Sequence, residues 1–143
     1  MSQRRGFTLV ELVVVIMILG ILAAVAVPKL ISTTGSATDN GLKQTLSVLR
    51  DAVDYYSSQN GGKLPGADGT EATFKADIAP YIRGGLVPKS PIGTKTDTVK
   101  VVTSAGAMTG DNSTGWSFNN KDGGLIANSS ALSNDGATTY DKF

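Results

Sequence analysis

The chain contains neither cysteine nor histidine among its 143 residues. This absence excludes thiol nucleophiles, histidine general bases, disulfides and Cys/His zinc sites. An excess of one charge is also missing, since 13 Lys and Arg stand against 12 Asp and Glu. No long-range field therefore favours nucleic acid. The length predicts one domain with an appendage.

A long apolar run lies near the N-terminus. Residues 7–27 carry a single charge, that of Glu11, and two arginines, Arg4 and Arg5, precede them. A helix of this length spans roughly 30 Å, the thickness of a bilayer core. The run is long for a secretory signal peptide and lacks an A-x-A cleavage site. We therefore predict a membrane helix whose N-terminus is cytoplasmic by the positive-inside rule.

The carboxylate of Glu11 decides between a plain membrane anchor and a more specialised helix. A carboxylate within an apolar membrane helix is costly, and a plain anchor has no use for it. Glu11 therefore implies a partner. Two candidates remain open: a cationic group on a neighbouring subunit, or an amine that cleavage nearby creates.

The residues around Glu11 form a known type of signal. The stretch Arg4-Arg5-Gly6-Phe7-Thr8-Leu9-Val10-Glu11-Leu12 resembles the class III signal of type IV prepilins and of the pseudopilins of type II secretion. The resemblance implies that a prepilin peptidase cuts between Gly6 and Phe7 and then methylates the new amine of Phe7. It also implies that Glu11 serves assembly and that Pro28 kinks the helix.

Beyond Pro28 the pattern predicts an α+β fold. Residues 32–36 are weak helix formers and are expected to melt locally. An amphipathic helix over 38–59 follows, with one apolar stripe. We predict a short helix over 71–83 and then three strands, over 98–103, 115–119 and 125–128, the last two joined by a turn at 119–124. The stripe comprises Leu42, Leu46, Leu49, Val53 and Tyr56.

The predicted architecture is a pilin-like ladle, in which a long N-terminal helix packs on a small antiparallel sheet. Its segments are a leader over 1–6, a transmembrane helix over 7–28, the amphipathic half of the long helix over 29–60, and a globular region over 61–143.

Little in the sequence favours catalysis. Asp51 and Asp54 are expected on the solvated face of the amphipathic helix beside Arg50, which argues against a catalytic pair. The Lys and Tyr residues are scattered without a base or an orienting partner, so no enzyme is predicted. The turn-rich tail offers Asp122, Asp135 and Asp141 as oxygen ligands for Ca²⁺, a metal that the resemblance makes relevant. We favour ordinary solvated turns over this calcium site, because no known calcium-loop spacing is present.

The leading functional hypothesis is a pseudopilin that polymerises with itself and with minor pseudopilins into a periplasmic fibre for protein export. The resemblance implies a prepilin peptidase and an inner-membrane assembly platform as partners. A type IV pilin for adhesion, motility or DNA uptake is the first alternative, and only DNA uptake would involve nucleic acid. A signal-anchored periplasmic binding module that never polymerises is the second.

Overall fold

The computed structural model describes residues 6–143. The chain divides into two compact units, one ending at Gly35 and the other running from Ser36 to Phe143. Helix α1 spans Leu9–Gln59, and α2 spans Glu71–Ile78 and continues as a 3₁₀ turn over Ala79–Tyr81. The strands are β1 at Val99–Val102, β2 at Trp116–Asn119 and β3 at Leu125–Ala127. A second 3₁₀ turn lies at Tyr140–Lys142.

Helix α1 is continuous through its weakest residues. Pro28 lies inside it, and residues 32–36 are helical, so the predicted local melting is wrong. Thr33 and Thr34 donate their hydroxyl protons to the carbonyls four residues earlier, at 2.8 and 2.6 Å. These bonds occupy hydroxyls that otherwise compete for backbone groups. A helix already formed on both sides also propagates at less cost than it nucleates. The kink at Pro28 stays a prediction.

The amphipathic stripe of α1 forms one wall of the core in the unit from Ser36 onward. Leu42, Leu46 and Leu49 are fully buried and Val53 nearly so, as predicted, whereas Tyr56 is half-buried. The stripe shares one apolar cluster with α2 and the sheet. This cluster contains Ala52, Phe74, Ile78, Ile82, Val87, Ile92, Val99, Trp116, Phe118, Leu125 and Ala127.

The three strands form a mixed sheet in the order β1-β2-β3. β2 and β3 are antiparallel, joined by the predicted turn in which the Gly123 amide donates to the Asn119 carbonyl. β1 and β2 are parallel, so the predicted all-antiparallel sheet is wrong at this pair. Residues 103–115 form the connection, which is long enough to return the chain to the other end of the sheet, as parallel pairing requires.

The start of β2 is fixed by a close backbone approach. A Cβ at Gly115 would lie 2.0 Å from the Thr96 carbonyl oxygen, so only glycine fits there. The indole N–H of the adjacent Trp116 donates to the Pro88 carbonyl at 2.8 Å, and its side chain is fully buried. The extended segment before β1 is thereby held against the centre of the sheet.

Candidate processing and assembly site

The Gly6–Phe7 bond lies in an exposed, non-helical segment before α1. A Cβ built at Gly6 meets no atom within 4 Å, and Phe7 is 81% exposed. The fold of the described residues therefore places no steric demand for glycine at position 6. Any such demand must come from a molecule that reads this segment.

The start of α1 is a capping box formed by Thr8 and Glu11. The Thr8 hydroxyl accepts from the Glu11 amide at 3.2 Å. The Glu11 carboxylate in turn accepts from the Thr8 amide and the Thr8 hydroxyl, each at 2.8 Å. This reciprocal pair satisfies backbone donors that a helix start leaves open. This box was not predicted above, although Thr8-Leu9-Val10-Glu11 before an apolar run is its signature.

The helix surface after the box is almost entirely apolar. Its large side chains from Leu9 to Leu30 are exposed within the described chain, by between 43% at Val14 and 77% at Leu9. This part of α1 is long and apolar enough to cross a membrane. Water is a poor environment for so large an apolar surface, which marks a membrane or protein contact. Glu11 is the only charge on α1 before Lys29.

The three aspartates proposed as calcium ligands each accept hydrogen bonds from backbone amides and side chains around them. Asp122 accepts from the Gly106 amide and the Asn119 side chain, at 2.8 and 3.1 Å. Asp135 accepts from two backbone amides and the Ser133 hydroxyl. Within residues 6–143, no group of three or more acidic side chains is close enough to hold a metal ion.

The third of these aspartates, Asp141, accepts from the Gly110 amide at 3.0 Å and from the Thr139 hydroxyl. Burial raises its pKa, but those hydrogen bonds outweigh burial and leave the pKa below its usual value. Backbone amides, with that of Thr138 foremost, hold the pKa of Asp135 well below its usual range. Both carboxylates are therefore charged members of local hydrogen-bond networks, and the calcium site stays a prediction.

A further network joins the loop before β2 to the end of β3. Lys100 bonds the Asp111 carboxylate at 2.5 Å, and the Asn128 side chain donates to the same carboxylate at 2.7 Å. The Lys100 ammonium and the Ser113 hydroxyl and amide hold the pKa of Asp111 well below its usual range. Asn128 is buried, so this network fixes the loop on the sheet edge.

β3 and the segment after it are tied to the part of α1 from Ser36 onward. Arg50 donates from Nε and Nη2 to the Leu125 carbonyl, at 3.2 and 2.9 Å, and from Nη2 to the Phe143 carbonyl at 2.6 Å. Asp39 accepts from the Tyr140 hydroxyl and the Asn134 amide. The sequence did not predict that Arg50 and Asp39 would hold β3 and the C-terminal segment on α1. Asp51 and Asp54 are exposed on α1 and line one open surface depression together with Tyr55 and Ser58.

Known proteins resemble this chain at its N-terminus and beyond it. Residues 1–27 match the prokaryotic N-terminal methylation motif. The chain is 34% identical to the type II secretion system core protein G of Klebsiella pneumoniae over 96 residues, which are 64% of this chain and 69% of that protein. It is also 34% identical to the core protein G of Vibrio cholerae over 100 residues, 65% of this chain and 68% of that protein. No solved structure matches.

A long apolar N-terminal helix, a methylation motif at its start and a small α+β unit define a pilin-like subunit with a membrane anchor. Within this class of proteins, the relatives indicate a particular family. The chain belongs to the family of type II secretion system core protein G. A type IV pilus protein is also similar: the narrow pilus major component PilA5 of Thermus thermophilus, 39% identical over 66 residues, 46% of this chain and 56% of that protein.

Proposed function

We propose that this chain is a structural pseudopilin of a type II secretion-like system. It is cleaved between Gly6 and Phe7, methylated at Phe7 and polymerised into a periplasmic fibre that serves protein export. The observation that carries the proposal is the exposed Gly6–Phe7 bond directly before the capped start of an apolar helix. The N-terminal methylation motif over residues 1–27 supports it.

Cleavage leaves the capped helix start intact. The box is made by Thr8 and Glu11, both of which follow the cleaved bond. Removal of residues 1–6 creates a positive amine at Phe7 near the Glu11 carboxylate. In the fibre, the amine of one subunit pairs with Glu11 of the next and so sets the axial register. The small residues Gly20, Ala23, Ala24 and Ala26 allow adjacent apolar helices to approach closely.

The proposal also names the partners and the location. Before assembly the chain spans the inner membrane once, with Arg4 and Arg5 on the cytoplasmic side and the unit from Ser36 onward in the periplasm. The prepilin peptidase acts on it there. The inner-membrane assembly platform and minor pseudopilins start the fibre, which then grows by addition of identical subunits. The protein has no catalytic role.

Processing is tested on protein extracted from membranes. Intact-mass and N-terminal analysis should find a chain that begins at N-methylated Phe7, and the uncut chain in cells that lack the peptidase. Gly6→Val should stay uncut while the globular unit keeps its fold, because no described atom surrounds Gly6. A wild-type chain that keeps its leader in peptidase-competent cells would refute the proposal.

A type IV pilin is the second candidate function, favoured by the similarity to the Thermus thermophilus pilus protein. The two functions differ in what a deletion strain loses. A pseudopilin deletion abolishes export of secreted proteins and leaves surface pili present. A pilin deletion removes surface pili and leaves export intact. A binding module that never polymerises would be absent from sheared or cross-linked fibres.

A further inference from the structure

The chain contains two Asn-Gly pairs, Asn40-Gly41 and Asn60-Gly61, in different structural settings. In such a pair the backbone nitrogen of glycine can attack the side-chain carbonyl carbon of the preceding asparagine, because glycine has no Cβ to obstruct the approach. The local sequence is equally permissive at both pairs. The backbone conformation and hydrogen bonding of each glycine therefore decide whether the attack is possible.

The first pair is protected by the helix. Asn40 and Gly41 lie in the interior of α1, where each amide belongs to the ladder of bonds to the carbonyl four residues earlier. The Gly41 carbonyl also accepts from the Thr45 hydroxyl at 2.8 Å. The glycine nitrogen is thus occupied, and it can reach the Asn40 side chain only if the helix opens locally.

The second pair lies just beyond the helix end. The Gly62 amide donates to the Ser57 carbonyl at 2.8 Å, and Gly61 has φ +65°, the arrangement of a glycine helix C-cap. Among residues 6–143 the Gly61 amide has no hydrogen-bond acceptor. A Cβ at Gly61 would meet nothing within 4 Å, so the space around it is open.

Among residues 6–143, one hydrogen bond restrains the Asn60 side chain. Its Nδ2 donates to the Tyr56 carbonyl at 2.8 Å, and this contact is exposed to solvent. Water can replace such a bond at little cost, because the exposed carbonyl is hydrated as soon as the side chain leaves. The side chain can therefore rotate toward the Gly61 nitrogen while the helix and the core stay folded.

We propose that Asn60 is a site of spontaneous deamidation in the folded protein, with water as the only co-reactant. The Gly61 nitrogen loses its proton and forms a bond to Cγ of Asn60. The Cγ–Nδ2 bond then breaks, and Nδ2 leaves as ammonia after taking up a proton. Water opens the resulting five-membered imide at either carbonyl, which gives aspartate or isoaspartate at position 60. The net change is one amide and one water converted to one acid and one ammonia.

Both products weaken the end of α1. A carboxylate at position 60 is placed beside the last carbonyls of the helix, where negative charge is unfavourable. Isoaspartate also adds a methylene to the backbone within the turn that holds Gly61 and Gly62. Deamidation of Asn60 therefore marks older copies of the protein by a change that accumulates with time and with rising pH.

The test uses the full chain in detergent micelles, incubated at neutral and at mildly alkaline pH and then digested with trypsin. The digestion separates the two pairs, because Asn40 lies in peptide 30–43 and Asn60 in peptide 51–63. Mass spectrometry measures the replacement of the amide by an acid in each peptide. Synthetic peptides of both sequences serve as the unfolded references.

In the folded chain, Asn60 should deamidate at least roughly tenfold faster than Asn40, a ratio that needs only about 1.4 kcal/mol of helix-opening cost at Gly41. The two synthetic peptides should differ little, and the Asn60 rate should rise with pH. Equal rates in the folded chain would overturn the proposal. So would a folded-chain ratio that the synthetic peptides reproduce, since the structure would then have no part in it.

Discussion

The guanidinium of Arg50 closes the outer edge of β3, and its removal has a cost that the structure allows us to calculate. Arg50 bonds the half-buried Leu125 carbonyl twice and the exposed Phe143 carbonyl once. Truncation to alanine leaves the Leu125 carbonyl short of a donor, which costs about 1–3 kcal/mol. Water replaces the donor at Phe143, so that contact adds little. We expect Arg50→Ala to lower the free energy of unfolding by about 2 kcal/mol.

A loss of that size lowers the melting temperature by roughly 8 °C in a unit of about one hundred residues. Arg50→Lys should recover about half of the loss, because an ammonium cannot bond two divergent carbonyls as a planar fork does. Arg83→Ala is the matched control. Arg83 is exposed and its side chain makes no hydrogen bond or ion pair within residues 6–143, so its removal should change stability by less than about 0.5 kcal/mol.

The assay is denaturant and thermal unfolding of the full chain in detergent, followed by tryptophan fluorescence. Trp116 is the only tryptophan and is fully buried in the unit from Ser36 to Phe143, so its signal reports that unit and not the apolar part of α1. An Arg50→Ala protein as stable as Arg83→Ala would refute the reasoning. Equal losses for Arg50→Lys and Arg50→Ala would refute the role of the fork.

Local patterns in the sequence predicted most of the secondary structure, because each depends on neighbouring residues. The apolar stripe of α1, the three strands and the turn between β2 and β3 are of this kind. The direction of β1 relative to β2 does not depend on neighbouring residues in this way. It depends on the path of residues 103–115, which have no periodicity and are positioned by contacts such as Asp111 with Asn128.

The candidate site also has a part that depends on neighbouring residues and a part that depends on distant ones. The motif from Gly6 to Glu11 is contiguous, so the sequence alone is enough to predict a cleavage bond and an assembly residue, and both stay predictions. Arg50 could not be assigned its contacts, since its partners are backbone carbonyls 75 and 93 residues away that any residue type would offer. Continuity of α1 through residues 32–36 was missed for another reason: intrinsic propensity there is weak, but the helix on either side removes the cost of nucleation.

Three further predictions concern charged groups. The pKa values of Asp111, Asp135 and Asp141 are lowered in the folded chain from 3.8, so the stability that they contribute is complete above about pH 5 and is lost as pH falls through their folded values. Trp116 fluorescence during denaturant titrations at pH 7, 5 and 3 should show this fall only in the acid step, and a constant stability would contradict it. A fragment that begins near residue 30 should be a folded monomer, and millimolar calcium should raise its melting temperature if the tail aspartates bind the ion. An unchanged melting temperature would leave them as turns. Glu11→Gln keeps an oxygen that can accept from Thr8 and removes the charge, whereas Glu11→Ala removes both. If the carboxylate pairs with the Phe7 amine of a neighbouring subunit, both variants should insert in the membrane at wild-type abundance and fail to enter sheared fibres, and Glu11→Asp should enter them in part. Fibres that contain Glu11→Gln at the wild-type level but exclude Glu11→Ala would show that the cap, and not the charge, is what assembly requires.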